Sequence, residues 1–175
     1  MAFASEKDLF NAALSTVYFK SLLNTGNAEC LIEPKGLFGI PDLVIANVKN
    51  TSIEAVEIQG LAFEMKLRNW QRALFQAYRY RFFAQKSYVV MDHKRVQPAL
   101  MQIERFIKSN IGLLSLSPDG EIYIHFEPTE EPPYCDRLRI CLEQIVLQEN
   151  KLRSDRVKSA FTEAVCFPLS LVHAG

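Results

Sequence analysis

The sequence predicts an α/β protein in which helices cover a central sheet, and three observations carry that expectation. A helix-period apolar stripe opens the chain, three strand-like runs follow, and a second helical pattern leads into a short, wholly apolar strand. Ser5 caps the first helix, which is expected to run to about Leu23 with Leu9, Phe10, Ala13, Leu14 and Val17 as its stripe. Asn24, Thr25, Gly26 and Asn27 end it. A short strand near Glu29–Glu33 and a Pro/Gly-punctuated turn come next. The strand Asp42–Val48 follows, with Leu43, Val44 and Ile45 in an unbroken apolar run. Lys49–Ser52 reads as a hairpin turn, and Ile53 to about Leu67 as a long strand, bent or bulged at Gly60. Asn69 caps a helix expected to reach about Gln85, and Ser87–Met91 is the short buried strand. Then come a helix over Gln97–Ser109, a hairpin around Pro118-Asp119-Gly120, a surface loop at 127–133 and a helical stretch from Asp136 to about Ala164.

The chain has 175 residues, the size of one domain, with a core expected over residues 5–91 and additions over 92–175. An apolar share of 49% with 23% charged residues excludes a disordered chain, and zero formal net charge selects no partner globally. No apolar stretch approaches the roughly 20 residues of a membrane-spanning helix. The first residues lack a basic region followed by an apolar one, so no signal peptide is expected and the cytoplasm is the expected compartment. Cys30, Cys135, Cys141 and Cys166 show no CxxC pairing and read as buried free thiols. Three scattered histidines suit neither a zinc site nor a His-centred nuclease motif, and His93 and His125 read as structural or surface residues.

Two short pieces carry chemistry: Gly39-Ile40-Pro41-Asp42 opening a strand, and Glu64-Met65-Lys66 late in the next. Side chains alternate along a strand, so Glu64 and Lys66 share a face that Met65 does not. If the strands pair through the Lys49–Ser52 turn, Asp42 and Glu64 lie side by side. Two adjacent carboxylates repel unless a cation separates them, and hard oxygen donors favour Mg²⁺ or Mn²⁺ over Zn²⁺. A neighbouring lysine can hold or polarise an attacking water and balance charge on a phosphate. The set Asp42, Glu64 and Lys66 is thus minimal equipment for metal-assisted phosphodiester hydrolysis. Glu57-Ile58-Gln59 is a competing acidic element on the same strand.

On these residues the segment 5–91 resembles the PD-(D/E)xK nuclease superfamily, with Pro41-Asp42 and Glu64-x-Lys66 as the matching motifs. The resemblance implies a restriction-endonuclease-like αβββαβ core: a mixed central sheet flanked by helices, here followed by a C-terminal hairpin and helical extension. It implies that Asp42 and Glu64 bind the metal, with the Met65 carbonyl as a backbone ligand and Lys66 serving the water. RecB-like and Holliday-junction-resolvase-like branches often add an acidic residue on the first helix, which Glu6 fits by angle. They also carry a Q-x-x-x-Y element, matched here by Gln76 and Tyr80.

Between Glu64 and Lys86 stand six basic residues and one acid. Arg72 and Arg79 fall beside Gln76 on one helix face and Arg68 extends the stripe, a ridge suited to a phosphate backbone. Lys151, Arg153, Arg156 and Lys158, interrupted by Asp155, read as solvated surface. Phe75, Tyr78, Phe82 and Phe83 read as at least partly core, not as a base-stacking platform. The expectation is a Mg²⁺- or Mn²⁺-dependent DNA nuclease. Two alternatives stay open: a non-catalytic nucleic-acid-binding or assembly subunit, and a structure-specific resolvase acting as a homodimer. Leu138, Cys141, Ile145 and Leu152 form a candidate apolar stripe for packing or dimer formation.

Overall fold

A computed structural model describes residues 2–25, 27–50 and 56–149 of the chain. It is an α/β protein with a six-stranded mixed sheet in the order β1-β2-β3-β4-β5-β6. The strands are β1 (Ala28–Ile32), β2 (Leu43–Asn50), β3 (Val56–Lys66), β4 (Lys86–Asp92), β5 (Gly112–Leu116) and β6 (Ile122–Phe126). Strands β1, β2 and β3 form an antiparallel meander, β3, β4 and β5 run parallel, and β6 turns back on β5. The helices are α1 (Glu6–Ser15), α2 (Val17–Leu23), α3 (Trp70–Tyr80), α4 (Gln97–Leu100) and α5 (Ile103–Ser109), with a further helix, α6, described over 136–149. Among the described residues no helix is long and apolar enough to cross a membrane.

Strand alternation sorts the core into two layers. Leu43, Ile45, Leu61, Phe63, Met65, Tyr88 and Val90 face α1 and α2, whereas Val44, Ala46, Ile58, Ala62, Val89 and Met91 join the layer under α3 and the later helices. Phe63 stacks on Tyr88 at 4.9 Å and meets Phe19 of α2 at 5.0 Å. Rings buried this fully contribute roughly 2–3 kcal/mol each from area alone.

Several boundaries differ from the sequence expectation. The first helix is two, because Thr16 is extended and its hydroxyl accepts from the Phe19 amide, capping α2. Val17 therefore leaves the apolar stripe and is 83% exposed. Lys49 and Asn50 pair with Glu57 and Val56, so β2 outruns the turn expected at Lys49–Ser52. Gly60 makes no bulge, since the β2–β3 register is unshifted. It is glycine because a Cβ there would stand 2.8 Å from the Leu142 side chain of α6. Helix α3 stops at Tyr80 rather than near Gln85. Arg81 then turns inward, fully buried, donating to the Ala84 and Gln85 carbonyls and to Glu131 Oε2. The helix expected over Gln97–Ser109 is broken between α4 and α5 at Met101 and Gln102.

The hairpin at Pro118-Asp119-Gly120 joins β5 to β6 as expected. The core-facing stripe of α6 is Leu138, Leu142, Ile145 and Val146, with Cys141 half-buried. Cys30 is exposed at the sheet edge and Cys135, like Cys141, is half-buried, so the expectation of buried thiols fails at all three; each is free. On β5, buried Ser115 places its hydroxyl 2.9 Å from His93 Nδ1 and 2.7 Å from His125 Nε2, a structural use of both histidines. Cys166, Leu152 and the cluster Lys151, Arg153, Arg156 and Lys158 lie outside the described residues.

Candidate active site

The β2–β3 register sets the site. Leu43 pairs with Phe63, which lays Asp42 alongside the strand end Glu64-Met65-Lys66. Asp42 Oδ2 accepts the Met65 amide at 2.6 Å. Glu64 and Lys66 point to one face, as alternation requires, and Lys66 Nζ lies 3.0 Å from Glu64 Oε1. The same ammonium reaches Glu6 Oε2 at 3.1 Å and the Met65 carbonyl at 3.2 Å. Glu6 is available because the cap of α1 is completed by Ser5 and Asp8 instead. A cleft of about 480 Å³ opens beside Glu6, Asp42 and Met65.

Glu64 is only 1% exposed, a costly place for a carboxylate without partners. It has two. Lys66 neutralises it, and the Tyr80 hydroxyl donates to Oε2 at 2.5 Å while lying 3.1 Å from the Ile40 carbonyl. Tyr80 thus ties α3 to both the β3 carboxylate and the turn before Asp42. Gly39 in that turn has φ +101°, and a Cβ would stand 3.0 Å from the Tyr80 ring. Glycine therefore lets the Pro41-Asp42 turn close on Tyr80.

The titrating groups report this crowding. Burial first, and then the charge of Glu64, pushes the Asp42 carboxyl up to about 6. Burial pulls the Lys66 ammonium down, but its hydrogen bonds and charge pairing with Glu64 and Glu6 outweigh this and leave it above the ordinary value. Lys66 is accordingly a cation at neutral pH and serves as donor, not base. Burial and then Glu64 raise Tyr80, which stays a neutral hydroxyl.

The donor set is chemically suited to a hard divalent cation: carboxylate oxygens of Asp42 and Glu64, the Met65 carbonyl and, at the rim, Glu6. Among the described residues no three His, Cys, Asp or Glu side chains gather into a metal-holding cluster. The shared focus of Glu6, Glu64 and the Met65 carbonyl is taken by the Lys66 ammonium. Glu57 sits seven residues before Glu64 on β3, roughly 23 Å along the strand, too far to share an ion with Asp42. Its companion Gln59 instead donates to Glu130 at 2.5 Å.

On α3, Gln76 is half-buried with its Oε1 unpartnered. Arg68 and Arg72 are exposed, and neither has an ion-pair partner among the described residues. Arg79 is half-buried, with its guanidinium 4.4 Å from the Phe38 ring centre. The aromatic residues of this region divide against expectation. Phe83 is fully buried, but Phe75 is 64% and Tyr78 42% exposed, because the alanines at 73 and 77 mark the side of α3 pressed to the sheet. Searches against family models, curated proteins and solved structures return no match to the chain.

Proposed function

We propose that the chain is a metal-dependent DNA nuclease of the PD-(D/E)xK type, with strands β1 to β4 and helices α1 and α3 as a restriction-endonuclease-like core. The observation that carries the reading is the register that lays Asp42 beside Glu64-Met65-Lys66, with Lys66 on the same face as Glu64. Asp42, Glu64 and the Met65 carbonyl, aided by Glu6, would hold Mg²⁺ or Mn²⁺. Such an ion, when bound, supplies Lewis acidity toward a phosphate and a lowered pKa for water.

The chain's own side chains do the rest. Lys66 donates to an attacking water or a phosphate oxygen and offsets charge gathering in the transition state. Tyr80 fixes the Glu64 carboxylate so that its second oxygen faces Lys66. Gln76, one helical turn before Tyr80, has an unpartnered amide oxygen.

The test is a panel of labelled single strands, duplexes, flaps and four-way junctions incubated with Mg²⁺ or Mn²⁺ and, in parallel, with EDTA. Divalent-dependent cleavage of at least one substrate is the expected result. If every substrate survives, the hydrolytic reading falls and a non-catalytic binding subunit replaces it.

The arginines of α3 give a second measurable consequence. Changing Arg72 and Arg79 together to Gln should weaken binding to unrelated DNA sequences alike, because phosphate contacts carry no direct sequence information. The log–log salt dependence should flatten by roughly one to two units. A wild-type slope in the double variant would make the ridge a solvated face.

A further inference from the structure

We infer that the exposed side of α3 is a stacking platform for an unpaired nucleic-acid strand, so that the substrate reaching the carboxylate site is single-stranded at that point. This rests on the nuclease reading above and deepens it. At about 100° per residue Phe75 falls opposite the buried side formed by Ala73, Ala77 and Tyr80, so its exposure is no packing compromise. Tyr78, one turn on, is also exposed. From Tyr78 a row of rings continues through Tyr134 at 6.2 Å, Phe82 at 5.7 Å and Phe38 at 5.1 Å. Of these, Tyr134 and Phe38 are exposed.

The row is held in place and leads to the site. Buried Arg81 lies 5.1 Å from the centre of the Tyr134 ring, and its carbonyl accepts the Tyr134 amide at 3.0 Å. Phe38, carrying Arg79 against its ring, stands four residues before Asp42 and next to Gly39, which packs on Tyr80. At the other end a cleft of about 300 Å³ opens between Phe75, Tyr78 and Arg105.

The occupant follows from charge and shape together. Exposed apolar rings in a continuous patch mark an interaction surface. On the same helix Arg72 stands one turn before Phe75, and neither it nor Arg68, just ahead of the Asn69 cap, has an ion-pair partner among the described residues. A polymer of flat bases on an anionic backbone satisfies both stripes, because every base has a face to stack and every linkage a phosphate to pair. A duplex hides its base faces and can use only the arginines.

The experiment measures anisotropy of labelled oligonucleotides with the full chain in EDTA, so that binding is read without hydrolysis. The probes are a single-stranded DNA, an RNA of the same sequence and the corresponding blunt DNA duplex. Wild type should bind the single strands more tightly than the duplex. The variant combining Phe75→Ala and Tyr78→Ala should lose roughly tenfold or more for single strands, with duplex affinity and salt slope unchanged. The tighter of the DNA and RNA arms identifies the sugar recognised.

Unaltered single-strand affinity in that variant would overturn the inference. So would a wild-type dimer in sedimentation that the variant converts to monomer without any loss of strand binding, which would make the patch a self-interface. Both positions are exposed, so the fold should survive the change, and Phe75→Trp should restore binding. If stacking-dependent binding appears but no substrate is ever cut, the hydrolytic reading falls and the platform stands as a strand-binding surface alone. If wild type and variant cut duplex equally and bind single strands equally, this inference falls and the hydrolytic reading stands.

Discussion

Lys66→Ala is expected to reduce divalent-dependent DNA cleavage by roughly 10²–10³-fold, the usual effect of deleting one preorganised transition-state donor. Lys66 is 14% exposed at its side chain and has three oxygens within hydrogen-bond reach, so its ammonium is held in place before any substrate arrives. Its pairing with Glu64 and Glu6 keeps it protonated at neutral pH. The variant loses the positive charge but keeps every carboxylate, so Mn²⁺ affinity should be preserved or should rise as a competing cation departs. Single-turnover cleavage and calorimetric titration of the same preparation separate the two effects. Cutting within about threefold of wild type would remove Lys66 from the chemistry, being far short of the loss expected of such a donor. The apo variant should also melt earlier, because Glu64 is left buried with only Tyr80 as partner.

Glu64→Gln and Asp42→Asn should each weaken Mn²⁺ binding by roughly 10–100-fold or more, since loss of even an outer-shell partner costs that much. Both changes remove charge and little volume, and Gln at 64 still offers Tyr80 an acceptor. Glu57→Gln, at the far end of β3, should leave affinity unchanged; the opposite ranking would move the site. In EDTA, Asp42→Asn should stabilise the protein. The wild-type carboxyl is raised from 3.8 to about 6, so its ionisation opposes folding fully above about 6 and not at all below the unfolded value. The variant's advantage should be about 1–2 kcal/mol at pH 8, allowing for solvent screening, and should vanish as pH falls below about 4. Thermal melts across that range read it directly.

The carboxylate–lysine set is legible in the sequence because its logic is local. Strand alternation puts Glu64 and Lys66 on one face, and a hairpin connection pairs β2 with β3 in a register that brings Asp42 to the same end. Tyr80 is legible as a position on α3, but its bond to Glu64 depends on how closely α3 approaches β3, which Gly39 helps decide. Arg81 is not legible as a buried residue. Its carboxylate, Glu131, comes fifty positions later from a loop that shows no periodicity. The break at Thr16 is masked because its flanks both read as helix, although a threonine three residues after the buried Ala13 is a usable cap signal. Composition alone misleads for the exposed aromatics. Ala73 and Ala77, four apart, point to the close-packed side, and Phe75 is opposite it.

Ser115, held between His93 and His125, imposes a proton-counting rule on two rings outside the carboxylate site. A hydroxyl has one proton to give. With both imidazoles neutral, one facing nitrogen accepts that proton while the other must donate its own N–H. Burial, and then the nearness of His93, hold His125 below the usual imidazole range, so His125 is the ring that favours the neutral form. The rings therefore take complementary tautomers: where His93 Nδ1 is bare, His125 Nε2 carries hydrogen, and the reverse. Between the two neutral arrangements, exchanging the roles requires the hydroxyl to turn and both rings to change tautomer together, so the tautomers of these histidines are coupled through one hydroxyl.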